Sequence, residues 1–444
     1  MYALALTLLS CNPSNDGSDR IEPTFIEVSG SWVQGTSDDD TGPAAYLNSS
    51  RKVAVSGAAL NRNAEPYSYD GWVEITVRPG RITDVEGGLS VVDKWGDIHW
   101  YLQAKDGQVE ATVEVASAFG DTRVWITATA DPNDATSVGS LATGVTEPIE
   151  VQLPTIQELQ DVSEIDDDEP HTTSPLFGEF VTIRTVDRQV VVTELDTKGF
   201  WASDLGHIDD TPAAVSDSYR GLFVYTFNAP ENVAIGDRLE LLGGGVQEYI
   251  GTTQLSFPVY RAAEGQQLPV PDGVVLNSDT IDEESACQNN NKPNHSYLET
   301  LESSLVTVLE GTIPENFREM PPGQDSHPDF SSYLEYGQWP ILLDSGCTMQ
   351  VVSNIALPQF DPVKNAGQRI GPVSGMLKFV EAGGDRWVLQ VVNADDMPFF
   401  EASPTTQTQK TALRSHWDLV QKAPSLESLC DHDHVGDHLR PHKD

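Results

Sequence analysis

Short runs of alternating apolar and polar residues, each closed by a turn signal, recur through most of this sequence and restrict what it can fold into. The pattern is clear in FIEVSGSWV, RKVAVSGAAL, GWVEITV and VWITATA, which all lie between Ile21 and Pro154. Successive side chains of a strand point to opposite faces, so this period of two predicts strands with one buried face. Turn signals such as Arg78-Pro79-Gly80 recur at the spacing of a β-sandwich. We therefore predict a β-sandwich over residues 21–154.

Length and charge limit the number of domains and the classes of partner. The chain has 444 residues, enough for about two to four domains of ordinary size. Its formal net charge is −42, from 68 acidic and 26 basic side chains. This negative field repels phosphate groups, so nucleic acid and anionic lipid are disfavoured partners. The same acidity suits a saline or calcium-containing exterior, and it would equally serve solubility alone.

The first eleven residues, MYALALTLLSC, form an apolar run that ends in a small residue and Cys11. The run is too short to span a bilayer. It resembles the lipobox of bacterial lipoproteins, in which the cysteine is acylated and becomes the mature N-terminus. The resemblance implies a signal peptide and tether over residues 1–20, and an exported protein anchored through Cys11 to the outer membrane or cell surface. A basic segment before the apolar run is missing, which leaves a late assigned start or an accidental likeness as alternatives.

Three further cysteines follow, at positions 287, 347 and 430. Cys287 and Cys347 fall within or beside one predicted domain and would close a loop of moderate length, so they are the favoured disulfide in an oxidising compartment. Cys430 then remains in a polar tail. The spacing of the cysteines does not match that of a structural zinc site.

The segment DGQVEATVEVASAFGDTRVWITATA, which ends at Ala130, resembles the last strands of a bacterial immunoglobulin-like domain. The resemblance implies that residues 21–154 form an immunoglobulin-like sandwich, with Trp125 facing inward. The Cys…Trp…Cys pattern of antibody domains is missing. An acidic stretch, QELQDVSEIDDDEP, follows and predicts a solvated linker over residues 155–173.

The next blocks are SPLFGEFVTIR, GFWASDL, GLFVY and GDRLELLGGGVQEYIGTTQL, in that order. They resemble, block by block, the OB-fold-like domain that accompanies secreted bacterial nucleases and phosphoesterases. The residues that carry the likeness are Gly199-Phe200, Asp204, Gly221 to Tyr225, Gly236 to Arg238 and Glu248 to Leu255. The resemblance implies an OB-like barrel over residues 174–275.

A weaker copy of the same pattern implies a second OB-like barrel over residues 276–400. Gly367-Gln368-Arg369 takes the place of Gly236-Asp237-Arg238, and Gly375 that of Gly244 at the same offset. Residues 316–337 interrupt this copy, and their Pro, Gly and Ser content predicts a loop-like insertion. The predicted fold is therefore all-β: an immunoglobulin-like sandwich, two OB-like barrels and a flexible tail over residues 401–444.

The tail holds the residues with the best metal-binding chemistry. Imidazole and carboxylate together suit zinc, nickel or copper, although a disordered tail can also bind such ions adventitiously. The candidate ligands are Asp431, His432, Asp433, His434, His438 and His442. Calcium is a further candidate at Asp38 to Asp40, Asp166 to Asp168 and Asp209-Asp210, but none of these has the spacing of an EF-hand loop. Calcium or a transition metal is thus the candidate cofactor.

No complete catalytic machinery is evident. Asp325-Ser326-His327-Pro328-Asp329 is similar in composition to the Ser-Asp-His ending of the nuclease family, but the order of residues differs. The chain also has no room for the catalytic sandwich of that family, so a surface loop is the better interpretation. We therefore expect no enzymatic activity.

OB folds bind single strands or oligosaccharides by combining a basic groove with aromatic stacking. From Ser174 to Tyr260 there are five basic and twelve acidic side chains, so the basic groove is missing. The aromatics Phe200, Trp201, Phe223, Tyr225 and Tyr249 could stack on sugars, but strand alternation buries at least half of such residues, and none is assigned as a binding residue.

Three functions are consistent with these patterns. The first is a non-catalytic surface lipoprotein that acts as a binding or structural module for a protein or glycan. The second is an accessory subunit of an extracellular nuclease or phosphoesterase. The third is metal binding by the His/Asp-rich tail.

Overall fold

A computed structural model describes residues 25–33, 50–133, 142–160, 173–210, 219–276, 286–288, 292–315, 328–381 and 386–398. Strands account for 52% of these described residues and helices for 7%, which confirms the predicted all-β fold. The chain divides into two compact units, Met1–Gln152 and Leu153–Asp444. No helix within the described ranges is long and apolar enough to cross a membrane.

The described residues of the first unit form a β-sandwich with ten strands. They are β1 (Phe25–Trp32), β2 (Arg51–Leu60), β3 (Trp72–Arg78), β4 (Arg81–Val85), β5 (Leu89–Val92), β6 (Ile98–Gln103), β7 (Gln108–Ala116), β8 (Gly120–Thr129), β9 (Thr143–Val145) and β10 (Ile149–Val151).

Its two sheets have the strand orders β1-β2-β7-β4 and β10-β8-β3-β6-β5, with β9 paired to β8. The central pairs β2–β7 and β3–β8 lie in opposite sheets, which is the arrangement of an immunoglobulin-like sandwich. The core lies between the sheets and is filled by the inward alternate residues of each strand, such as Val53, Ile75, Val113 and Ile126. The predicted period of two is therefore the pattern that closes this core.

The orientation of Trp125 differs from the sequence-based prediction that its side chain faces inward. Val124 and Ile126 are buried in the sandwich core, so Trp125, which lies between them on β8, points to the other face and is only partly buried. The alternation of β8 determines this orientation, because the β-branched Val and Ile occupy the inward positions.

The second unit begins with a short helix, α1 (Ile156–Gln160), in the stretch that sequence analysis assigns to a linker. Thr155 and Glu158 form a reciprocal cap: the Glu158 backbone N–H donates to Thr155 Oγ1 at 3.1 Å, and the Thr155 backbone N–H donates to Glu158 Oε2 at 2.8 Å. Ile156 and Leu159 are fully buried. The start of the predicted linker is thus part of the folded unit.

Barrel 1 follows α1. Its strands are β11 (Phe180–Thr182), β12 (Arg188–Leu195), β13 (Gly199–His207), β14 (Gly221–Tyr225), β15 (Asp237–Tyr249) and β16 (Thr252–Gln267). The ring β12-β13-β14-β16-β15 closes because β15 also pairs with β12. Among the described strands of barrel 1, β14 and β16 run parallel and the other pairs are antiparallel. These five strands form the closed Greek-key barrel of an OB-like fold, and β11 adds an edge to β15.

Barrel 2 repeats this topology. Its elements are β17 (Val274–Leu276), α2 (His295–Thr300), β18 (Leu305–Val308), β19 (Gly311–Thr312), α3 (Pro328–Tyr336), β20 (Gln338–Leu342), β21 (Thr348–Val352), β22 (Arg369–Ile370), β23 (Val373–Val380) and β24 (Arg386–Gln390). Strand β18 pairs with β23, and β19 pairs with β20, so the interrupted first strand closes the ring. The third and fifth strands, β21 and β24, are again parallel.

The insertion in barrel 2 is not simply the loop that the sequence suggested. Residues 328–336 form α3, and its Phe330 and Tyr333 pack against the barrel core. Their i,i+3 spacing places both rings on one face of a helix. This short amphipathic segment was not predicted, because the Pro, Gly and Ser content upstream of α3 is typical of a loop.

Cys287 and Cys347 form the predicted disulfide, with their Cα atoms 5.5 Å apart. The bond joins the segment before α2 to the turn between β20 and β21. Both cysteines are buried in the core of barrel 2.

Candidate functional site

In an OB fold, ligands usually bind on strands 2 and 3 and on the loops that join strands 1–2 and 4–5. In barrel 1 these loops pack against barrel 2. In the first loop, Asp196 Oδ2 accepts a hydrogen bond from Gln390 Nε2 of β24 at 2.8 Å. In the second, Ile250 O accepts from the Glu381 backbone N–H at 3.3 Å. Thr252 Oγ1 at the start of β16 donates to Phe379 O at 2.7 Å.

Parts of strands 2 and 3 of barrel 1, which are β13 and β14, are also buried. A side chain at Gly221, where β14 begins, would overlap the backbone of Ser303 in barrel 2, so only glycine allows this approach. On the neighbouring β13, the Trp201 side chain is 3% exposed. The part of the usual ligand face formed by the two loops and the start of β14 is therefore an internal interface, whereas Phe223 and Tyr225 on the outer side of β14 are only partly buried.

A partly buried lysine contributes to the same interface. Lys378 of β23 donates from Nζ to Gln390 Oε1 at 2.5 Å, and Gln390 in turn reaches Asp196 of barrel 1. Burial lowers the pKa of Lys378, and the charge of Asp196 opposes that change. Because the amide of Gln390 bridges the two charged groups, this lysine serves docking between the barrels.

The corresponding face of barrel 2 carries its own helix. Asp329 of α3 accepts from Arg386 Nη1 of β24 at 3.2 Å and from Gln350 Nε2 of β21 at 3.3 Å. Gln350 and Val388 point away from the barrel core, yet both are buried. Strands 3 and 5 of barrel 2 are thus shielded from solvent as well.

The motif residue Asp204 has a structural role. Its carboxylate accepts from Arg188 Nε at 3.0 Å and from the Gly206 backbone N–H at 2.9 Å. Burial raises the pKa of Asp204, and the charge of Arg188 opposes the rise. With its oxygens engaged by an arginine and by the backbone, Asp204 holds β12 against β13.

An exposed aromatic surface remains on the outside of barrel 1. We call Phe180, Tyr225, Phe227 and Phe257 the aromatic stripe. The rings of Tyr225 and Phe227 have centroids 4.6 Å apart, and those of Phe227 and Phe257 are 5.1 Å apart. Phe180 lies on β11 opposite Gly245, and its ring covers the position where that glycine lacks a side chain. Phe180, Phe227 and Phe257 are 60%, 46% and 62% exposed.

The backbone under the aromatic stripe is unusual. Phe227 and Phe257 have φ values of 65° and 50°, in the left-handed region that bulky residues rarely adopt. Phe257 lies where the register between β15 and β16 shifts, between the pairs Gly243–Val259 and Gly245–Ser256. Such a bulge re-aims side chains. Here the bulge accompanies an exposed ring that contacts Phe227.

Uncharged polar groups border the aromatic stripe. Gln247 is exposed on β15, two residues beyond Gly245, and its Oε1 accepts from Ser256 Oγ at 2.6 Å. Tyr249, a further two residues along, is 43% exposed. An amide and a phenol can both donate and accept hydrogen bonds. The surface therefore combines flat apolar rings with neutral hydrogen-bonding groups.

The structure does not bring the candidate metal ligands into a described site. Cys11 and the tail residues Asp431, His432, Asp433, His434, His438 and His442 lie outside the described residues. So do Asp38 to Asp40, Asp166 to Asp168, and Asp325 to His327. In the ranges that are described, no group of three His, Cys, Asp or Glu side chains could hold a metal ion.

Asp209 and Asp210, which are described, belong to a turn after β13. The His207 backbone N–H donates to Asp210 Oδ2 at 2.8 Å, and His207 Nδ1 lies 3.6 Å from Asp209 Oδ2.

Sequence reasoning named Tyr225 but missed the other three residues of the aromatic stripe. A usable signal was present at Phe257-Pro258, because a proline inside a strand marks an edge or a bulge. Two residues that it named as possible stacking partners, Phe200 and Trp201, are buried.

Comparison with known proteins gives few likenesses. No protein-family model and no curated protein matches the sequence. Among solved structures, a DUF4466 family protein from Parabacteroides merdae has a TM-score of 0.18 and 6% identity, over 38% of this chain and 52% of that one. Dimeric latent PorU from Porphyromonas gingivalis has a TM-score of 0.18 and 13% identity, over 83% of this chain and 34% of that one. The chain thus spans about half of the first protein and a third of the second.

Proposed function

We propose that this chain is a non-catalytic surface module of an exported bacterial lipoprotein, anchored through Cys11, and that it binds its ligand through the aromatic stripe. The observation that carries the proposal is a pair of exposed rings in contact. Phe227 and Phe257 are 46% and 62% exposed and their ring centroids are 5.1 Å apart, while the exposed Phe180 lies on β11, two strands from Phe257. Exposed apolar patches of this kind are typical of interaction sites.

The packing of the barrels supports a binding or structural role over nucleic-acid handling. The loops and the start of β14 on the usual ligand face of barrel 1 pack against barrel 2, and the net charge of −42 opposes phosphate groups. Both observations weigh against an accessory subunit that delivers nucleic acid to a nuclease. Metal binding by the His/Asp-rich tail remains a separate candidate, and it predicts that deletion of residues 430–444 abolishes tight transition-metal binding.

The first experiment is a binding screen of the full chain at near-physiological salt. The probes are a glycan panel, calcium, transition metals and single-stranded DNA. We expect binding that Phe257→Ala weakens and Trp95→Ala, an exposed aromatic change in the other unit, leaves intact. Salt-sensitive binding to DNA alone would contradict the proposal and favour the nuclease-accessory alternative.

The anchor has its own test. Expression in a bacterial host with a labelled fatty acid should label the wild-type chain in the membrane fraction. Cys11→Ala should remove the label, since acylation requires the thiol. A labelled Cys11→Ala variant would overturn the anchor.

A further inference from the structure

We propose that the aromatic stripe binds a neutral carbohydrate, whose apolar C–H faces stack on Phe257 and Phe227. This inference rests on the proposed function, because it names the class of ligand for the same site. It requires a flat aromatic surface, neutral hydrogen-bonding groups beside it, and a reason to exclude charged ligands.

The backbone at Gly245 contributes to the flat surface beside the rings. Gly245 of β15 is partly exposed and carries no side chain, whereas Gly243 and Gly244 before it are buried. Phe180 lies on one side of β15 and Phe257 on the other, separated by two strand spacings of about 4.8 Å each. Phe227 and Tyr225 extend the same surface toward β14. An extended ligand could therefore contact several rings in succession.

The geometry of Phe227 and Phe257 holds this surface in one arrangement. Both residues adopt left-handed backbone conformations, and their rings contact each other at 5.1 Å. Strained conformations of this kind concentrate at ligand-binding positions. A surface that is fixed before binding loses less conformational freedom when the ligand arrives.

Neutral polar groups supply the hydrogen bonds that sugar hydroxyls need. The exposed amide of Gln247 and the phenol of Tyr249 lie along β15 beside the rings. An amide can donate and accept at the same time, which suits a hydroxyl group.

Charge then selects among ligands that stack on aromatic rings. Nucleobases stack equally well, but they come with phosphates, and barrel 1 has twelve acidic against five basic side chains from Ser174 to Tyr260. The same field repels polysaccharides that carry carboxylates or sulfates. A neutral carbohydrate is the stacking ligand that this surface does not repel.

The test is affinity electrophoresis and calorimetry of the full chain with neutral polysaccharides (dextran, laminarin, xyloglucan, galactomannan) and acidic ones (alginate, polygalacturonate). We expect binding to at least one neutral polysaccharide. Phe257→Ala and Phe227→Ala should each weaken it about tenfold or more, because each removes a stacking platform. Phe257→Tyr should retain binding, since its ring still stacks. Trp95→Ala and Val186→Ala are the controls: both side chains are highly exposed and lie outside the stripe.

The outcomes separate this inference from the proposed function. Binding to acidic polysaccharides or to a protein, without binding to any neutral polysaccharide, overturns the inference and leaves a binding module. Neutral binding that is unchanged in Phe257→Ala and Phe227→Ala, with unfolding temperatures like the wild type, overturns the assignment to the aromatic stripe. Failure to bind any probe contradicts both.

Discussion

Two residues of this chain adopt backbone conformations that are energetically unfavourable for their residue type. Phe257 and Phe227 carry large side chains at φ values of 50° and 65°, where a Cβ atom crowds the backbone. Glycine avoids that crowding. The chain nevertheless places an aromatic ring at each position, and most of the Phe257 ring faces water. Packing in the core therefore does not account for the choice of residue.

This strain predicts an inverted order of stability at position 257. In the interior of most strands, a protein with glycine has a free energy of unfolding lower than the same protein with alanine by about 0.5 to 1 kcal/mol. At a left-handed φ we expect Phe257→Gly to be more stable than Phe257→Ala by about 1 kcal/mol. Chemical denaturation of the two variants measures the difference. The opposite order would show that the backbone relaxes when the ring is removed.

A second residue-scale prediction concerns His99 in the sandwich. His99 Nδ1 lies 2.7 Å from Glu74 Oε1, and Nε2 lies 3.6 Å from Asp93. The hydrogen bond to Glu74 raises the pKa of His99, while partial burial opposes the rise. Its stabilising contribution is therefore complete below the unfolded pKa of about 6.5 and is lost as the pH rises through the higher folded pKa.

Nuclear magnetic resonance titration of the His99 ring should give a pKa above 6.5 in the wild type and a lower value in Glu74→Gln. Asp93 Oδ1 also accepts from the backbone N–H groups of Trp95 and Asp97. Exchange of these two amides should therefore speed up as His99 loses its proton. A wild-type pKa at or below 6.5 would contradict the prediction.

At the scale of elements, strands were predictable and short helices were not. The period of two identified the strands of the sandwich, because alternate burial is imposed by the strand itself. The pattern did not determine which face of the sheet the Trp125 side chain points to, since an aromatic residue suits either face of a half-buried sheet. Helix α1 was hidden by the acidic composition that follows it, although Thr155 and Glu158 carry a capping-box signature.

The disulfide was predictable because few pairings were available, and its energetic role follows from the loop that it closes. Cys287 and Cys347 are separated by 60 positions in the sequence. Replacing both cysteines by alanine should lower the free energy of unfolding of the second unit by about 4 kcal/mol, mainly through the entropy of the unfolded chain. Denaturation of the oxidised wild type and the double variant measures this. An equal loss in the first unit would show that the effect is not local.

At the scale of the molecule, the contact between the two barrels was not predictable. It is made by polar groups such as Asp196, Gln390 and Thr252, and polar interfaces leave little trace in composition. The aromatic stripe was hidden for a related reason. Whether a ring in a strand is buried or exposed depends on which barrel face is covered, and that is decided by residues distant in the sequence.

We expect Glu302 to make this barrel interface sensitive to pH. It is 3% exposed, and its Oε2 accepts from the Thr253 backbone N–H of barrel 1 at 3.0 Å. Burial raises the pKa of Glu302 well above the ordinary value of 4.5, and the nearby carboxylates of Glu299 and Glu248 add to the rise. A raised pKa means that this stabilising contribution is complete below about 4.5 and is lost as the pH rises through the folded pKa.

We expect the free energy of unfolding of the wild type to fall more steeply, as the pH rises above about 4.5, than that of Glu302→Gln, whose side chain does not ionise. Glu264→Gln, a change at an exposed position of β16, is the control for the loss of one acidic group. Equal slopes for the wild type and Glu302→Gln would refute a pH-sensitive interface.

The close approach of Ser303 to Gly221 has a practical consequence for anyone who divides this chain into fragments. A barrel 1 fragment that ends near residue 275 would uncover the loop at Asp196 and the start of β14 together. That newly bared surface is the one with which other OB folds take up oligosaccharides and single strands. Such a fragment would expose a binding surface that is inaccessible in the intact chain. A positive binding assay on the isolated barrel would therefore reflect the truncation and not a property of the intact protein.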